Sequence, residues 1–187
     1  MKLVPAKKLK ILDFDIENRP LSYLGSDFTT SEVTAIAASF VGKREVHSWF
    51  LGVDDPRDIL DDFVALYNEA DIVTGHYIRR HDLPIINGAL IEMNLPVLGP
   101  KLVSDTKVDL VSRKGVSAAQ ESLADMLGVR APKYHMTQFK WRAANRLSPG
   151  GIEQARKRVV GDIRQHKSLR KALIAHGYLA APSLWVP

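Results

Sequence analysis

The chain contains no cysteine. That excludes disulfides, iron–sulfur clusters and thiolate zinc sites, and it agrees with a reducing, cytoplasmic setting. No apolar run is long enough to cross a bilayer. Met1 to Lys10 carries lysines with no long apolar run behind them, so no signal peptide is expected. The 187 residues show no internal repeat, low-complexity tract or linker, so a single domain over residues 1–187 is expected. What is present is ordinary for one globular α/β unit: 45% hydrophobic and 25% charged residues leave room for a real core.

The charge is unevenly spread. Arg130 to Lys171 holds 12 Lys/Arg against two acids, Glu153 and Asp162, which gives that segment +10 and the remainder −5 in a chain of net charge +5. Such asymmetry suits a polyanionic partner approached from the C-terminal side. A basic helix that is merely solvated gives the same count.

Hydrophobic periodicity divides the chain into elements. Ile11–Glu17, Val33–Val41 and Glu45–Leu51 read as strands of an antiparallel meander, with Asn18–Thr30 a loop and Gly42-Lys43 a tight connection. Pro56 suits the first turn of a helix reaching about Ala70, with Ile59, Phe63 and Leu66 on one face. Asp71–Gly75 reads as a short buried strand, Asp82–Met93 as a helix and Leu102–Thr106 as a fifth strand. Ser117–Leu127 reads as a helix ended by Gly128, Arg130–Pro149 as irregular and basic, and Ile152–His176 as a long helix with a kink at Gly161. Three antiparallel strands followed by alternating helices and strands predict a mixed five-stranded sheet flanked by helices.

The most informative stretch is Ile11-Leu12-Asp13-Phe14-Asp15-Ile16-Glu17. Period-2 alternation sends Leu12, Phe14 and Ile16 to one face and the three acids to the other. Adjacent carboxylates repel, so something positive must balance them: water and salt on a solvated edge strand, or divalent metal in a cleft. Two later acids have local readings of their own. Asp82 stands at a helix start, where aspartate serves as an N-cap. Asp162 stands one helical turn from both Arg158 and His166, where it can form a surface ion pair.

In order and spacing, these residues resemble the DnaQ-like (DEDD) 3′–5′ exonucleases, and in wording the proofreading domains of family B DNA polymerases. Asp15-Ile16-Glu17 resembles the first motif of that superfamily and His76 to Pro84 the second. Ser104-Asp105-Thr106 is similar to the aspartate–threonine strand that follows, and Ser122 to Val129 with Lys133 to the segment before the third motif. The resemblance spans about Leu12 to Leu173. It implies an RNase H-like sheet and a metal-dependent 3′–5′ exonuclease that hydrolyses phosphodiester bonds at DNA 3′ ends. By analogy, Asp15, Glu17, Asp82 and Asp162 would hold two Mg²⁺ or Mn²⁺ ions about 3.5–4 Å apart. Asp15 would bridge both ions. Glu17 and Asp162 would hold the ion carrying the attacking water, and Asp82 would serve the second through water. Asp13 reads as a neighbour that adds negative charge.

The pattern departs in two places. A tyrosine four residues before the last aspartate, or a histidine five before it, orients the water in the superfamily; here Arg158 and Lys157 stand there. Arginine stays charged and is no base. His166, one turn after Asp162, has a titration range suited to general-base work, and it can equally be an exposed helix histidine. Tyr134 and His135 are further candidates, and a metal-bound water needs no separate base. Asn18 also stands where many proofreading enzymes have threonine.

The basic segment supplies the expected nucleic-acid contacts. Arg130, Lys133, Lys140, Arg142, Arg146 and Arg158 would follow the phosphates of a single strand. Tyr134, Phe139 and Trp141 would stack on bases or, for the last two, anchor a loop on the core. Tyr77 and His81 would meet the terminal nucleotide or serve in packing. The expected partner is single-stranded DNA or a frayed 3′ end, RNA being the alternative substrate, with a separate polymerase or repair protein as a further partner. Two rival functions remain open: a catalytically degenerate nucleic-acid-binding module on the same fold, and an RNase H-like endonuclease.

Overall fold

The structure is a computed structural model that describes residues 8–21, 31–131 and 133–187, the side chain of Arg113 excepted. The strands are β1 (Ile11–Pro20), β2 (Ser31–Phe40), β3 (His47–Phe50), β4 (Ile72–Gly75), β5 (Lys101–Asp105) and β6 (Ser183–Trp185), and the helices are α1 (Pro56–Glu69), α2 (Asp82–Glu92), α3 (Val108–Lys114), α4 (Gln120–Met126), α5 (Gln138–Asn145) and α6 (Pro149–Ala175). The strands form one open sheet in the order β3-β2-β1-β4-β5-β6. β1, β2 and β3 are the expected antiparallel meander; β4 and β5 continue parallel to β1, and β6 closes antiparallel on β5. This is the RNase H-like mixed sheet flanked by helices, with six strands rather than five.

Several boundaries differ from the sequence reading, each for a local reason. β1 runs on to Pro20 because it pairs with β2 beyond a register shift at Glu17/Asn18; the rest of the expected loop, residues 22–30, lies outside the described residues. β6 is three residues set just after Pro182, too short to carry a period. It is held by Arg79, whose guanidinium donates to the Val103 carbonyl (2.6 Å) and to Ser183 Oγ (2.7 Å). The supposedly irregular basic segment contains α5, capped by Thr137 Oγ1, which accepts from the Lys140 amide. α5 buries only Ala144, so its apolar stripe is too thin to read. α3 is likewise a helix the sequence reading lacked. α6 begins three residues early, at the Ser148-Pro149 start signal, and runs unbroken through Gly161.

The sheet separates two cores. Leu12, Phe14 and Ile16 join Phe63, Tyr67, Ile78, Leu83 and Ile86 beneath α1 and α2. On the other face Ala35, Ala37 and Phe50 pack against Ala144, Ala155, Val159 and Ile163 of α5 and α6. Small residues on β2 let α6 lie close to the sheet. The acids of β1 therefore face α6. Two glycines permit close approaches: a Cβ on Gly75 would sit 2.8 Å from the Phe14 carbonyl oxygen, and one on Gly151 would sit 2.1 Å from that of Ala143. The first brings the end of β4 against β1, and the second seats α5 on the start of α6. Among the described residues, no helix is long and apolar enough to cross a membrane.

Candidate metal centre

β1 carries Asp15 and Glu17 on its α6-facing side, and α6 carries Asp162 toward them. One carboxylate oxygen from each lies within 4.8 Å of the other two. Asp82 is the first residue of α2 and not its cap, which is His81. Its Oδ1 accepts from the Ile16 amide at 3.2 Å, and its Oδ2 lies 3.2 Å from His81 Nδ1. A strand amide thus ties the α2 carboxylate to the β1 acids.

The electrostatics agree with that convergence. Burial pushes the Asp15 carboxyl well above its usual range, and the charges of Asp162, Asp82 and Glu17 push further in the same direction. Burial raises Glu17 to about 7, against the opposing pull of Arg158. Asp82 and Asp162 are raised as well, again mainly by burial. His81 is raised by its hydrogen bond to Asp82.

Two cations stand among these acids. Arg158 Nε is 3.0 Å from Asp162 Oδ2 and 3.5 Å from Glu17 Oε1. Lys133 Nζ is 3.2 Å from the same Asp162 oxygen. The ion pair between Asp162 and Arg158 is therefore present, but in the interior rather than on the surface. Asp162 is only 4% exposed, and its Oδ1 has no hydrogen-bond partner. A buried carboxylate oxygen left without a donor, beside two more carboxylates, is an acceptor set suited to a hard divalent cation. The residues present fit such an ion.

His166 is placed differently from a base reaching this cluster. It is buried on the inner side of α6, with Nδ1 2.8 Å from the Asp13 carboxylate and Nε2 2.9 Å from Thr106 Oγ1. Thr106 Oγ1 is in turn 3.0 Å from His76 Nδ1. Asp13, expected only as an added negative charge, is thus the imidazole's partner. The chain Asp13–His166–Thr106–His76 sews α6 to β1 and to the ends of β4 and β5. Asp105 was legible only as part of a motif; its carboxylate accepts from the amides of Tyr77, Arg79, Lys107 and Val108, all at 2.9 Å. It holds Tyr77 in a left-handed turn (φ 79°), a conformation an asparagine adopts more easily than a tyrosine.

The other nucleic-acid candidates are scattered. The Tyr77 and His81 rings lie nearly parallel, 6.5 Å apart, next to Asp82. Lys140 is drawn to the Tyr134 hydroxyl and the His135 carbonyl. Arg130, Arg142 and Arg146 are exposed, as is Phe139 at 80%, whereas Trp141 packs on the α5–α6 core. A groove of about 730 Å³ runs along α6, lined by Lys133, Tyr134, His135, Arg156, Lys157 and Arg164. Arg156 and Arg164 were not singled out in the sequence, where they belong to an undifferentiated basic run. Lys133 belongs to both the groove and the acidic cluster.

No protein-family description matches the chain, and no curated protein does. Among solved structures it is similar to a family B DNA polymerase from the hyperthermophilic archaeon Pyrobaculum calidifontis, with a TM-score of 0.68 and 18% identity over 90% of this chain. The match covers 25% of the polymerase, so this chain spans about a quarter of that protein's length. At this identity the likeness is one of fold.

Proposed function

We propose that the protein is a metal-dependent 3′–5′ exonuclease of the DnaQ-like kind, formed by a single domain and acting on DNA ends. One observation carries the reading: Asp15, Glu17 and Asp162 come from two distant elements to lie within 4.8 Å of one another in a desolvated site beside Asp82. A fold that only binds nucleic acid gains nothing from burying charges that repel phosphate. Asp15, Glu17 and Asp162, with Asp82 beside them, are the residues that would hold such ions, Mg²⁺ or Mn²⁺. Divalent metal in such a site acidifies water and offsets the charge that builds at phosphorus during phosphodiester hydrolysis. The chain's own residues do the rest. Tyr77 and His81 offer stacked rings to the terminal nucleotide. The groove along α6 offers Arg156, Lys157 and Arg164 to the phosphates behind it. His166 serves as a positioning residue that fixes α6 on the sheet.

A catalytically inert binding module is the second reading. It is favoured by the ion pairs that Arg158 and Lys133 already make with the acids, and by the lack of a tyrosine or histidine at positions 158 and 157.

Incubation with 3′-labelled and 5′-labelled single-stranded DNA, in Mn²⁺ or EDTA, separates the two. Mononucleotide is expected at once from the 3′ label, with none in EDTA and none from Asp15→Ala. Internal cuts mark an endonuclease. Binding without products, unchanged by Asp15→Ala, marks the inert module. The same assay on RNA decides the substrate.

A further inference from the structure

The carboxylate cluster carries its own counter-ions. We infer that Arg158 and Lys133 hold the acids closed against divalent metal until a nucleic-acid phosphate draws them away, so that metal and nucleic acid bind with positive coupling. The inference rests on the metal-site reading above and specifies how that site is regulated.

Three observations carry it. First, both cations converge on one oxygen, Asp162 Oδ2, at 3.0 and 3.2 Å, and Arg158 also reaches Glu17. Asp162 and Glu17 are two of the three converging acids, so an ion ligated there competes with both side chains for the same charge. Second, the arginine's hold on the acids is not directional. Its Nε is buried and makes no hydrogen bond, although it lies within ion-pair distance. The guanidinium is instead anchored by Nη1, which donates to the Tyr134 carbonyl at 3.0 Å. It can turn about that anchor without losing a directed bond to a carboxylate. Third, Lys133 lines the basic groove as well as pairing with Asp162. A phosphate entering the groove offers it a second partner; Arg158 borders that path through its bond to the groove residue Tyr134, and guanidinium groups pair with phosphate through two parallel hydrogen bonds. Removing the cations bares Asp162 and Glu17 to the metal. By linkage, whatever phosphate does for metal affinity, metal does equally for nucleic acid.

The test measures Mn²⁺ binding by electron paramagnetic resonance of the free ion, with the full chain. It is run with and without a single-stranded oligothymidylate made non-hydrolysable by 3′ phosphorothioate linkages. Without nucleic acid, Arg158→Gln and Lys133→Gln are each expected to tighten Mn²⁺ binding about tenfold, while Arg158→Lys, which keeps the charge, stays near the parent. In the parent protein the oligonucleotide is expected to tighten Mn²⁺ binding by a similar factor, and in the double variant by much less. The parent experiment needs no substitution, so it stands even where a variant fails to fold. Overturning results are Mn²⁺ affinity unchanged or weakened in folded Arg158→Gln and Lys133→Gln, or unchanged by oligonucleotide in the parent. If Mn²⁺ binds and Asp15→Asn abolishes binding, those results sink only the coupling. If no protein binds Mn²⁺, the metal site fails and the coupling with it.

Discussion

Glu17 shows what burial among like charges does to one residue. Its carboxyl, at 4.5 in the unfolded chain, is raised to about 7 in the fold. Between those values the folded protein keeps a proton that the unfolded chain has released. Metal-free stability therefore falls as pH rises from about 4.5 to 7, and the loss is complete above 7. Glu17→Gln removes Glu17's share of that slope, leaving the shares of Asp15, Asp82 and Asp162. The variant is expected to match the parent at pH 4.5 and to exceed it at pH 8 by roughly 3 kcal/mol in urea unfolding. A variant no more stable than the parent at pH 8 would mean that Arg158 offsets the burial in full. His166 poses the opposite case. Its two nitrogens are engaged, and its loss leaves the Asp13 carboxylate, itself fully buried, without its imidazole partner. His166→Ala is expected to cost about 3 kcal/mol of stability. A general base would instead show a roughly 100-fold slower reaction with stability intact.

Elements decide which of these residues meet. β1 owes its two faces to strict alternation, which was readable from residues 11–17. The turn after β4 depends on Asp105, whose one carboxylate satisfies four backbone amides around Tyr77 and the start of α3. Asp105→Ala strands those donors, at an expected cost of about 3 kcal/mol by denaturation. It is also expected to loosen the Tyr77–His81 pair beside Asp82. α5 and β6 were not legible, because an element that buries one alanine, or that has three residues, carries no periodic signal. α6 was legible as a helix. Its inner face was not, because Asp162 and His166 lie one turn apart and the sequence pattern gives no way to tell an acid turned inward to the β1 carboxylates from one paired on the surface.

At the scale of the molecule, the excess positive charge of residues 130–171 is split between two tasks. Lys133 and Arg158 turn inward onto the acids, while Arg156, Lys157 and Arg164 border the outer groove. Any ligand that binds only the folded state raises its melting temperature. Mn²⁺ is thus expected to stabilise the protein in a thermal-shift assay, more at pH 8 than at pH 5.5, because protons compete for the raised carboxyls at the lower pH. Asp15→Asn should abolish the shift, and a shift that survives it would place the ion elsewhere.

The chain order alone determined the sheet's opening meander and the side of β1 on which its acids stand, whereas the distant aspartates were legible only through the resemblance in motif order. A strand's period of two and a helix's stop signals are local, and local rules suffice for them. Only the tertiary structure decided which charges those acids meet. Ion pairs between Lys133, Arg158, Glu17 and Asp162, and the bond from His166 to Asp13, depend on α6 lying close over small β2 residues. Coulomb energy follows distance and burial, and neither is written in spacing along the chain.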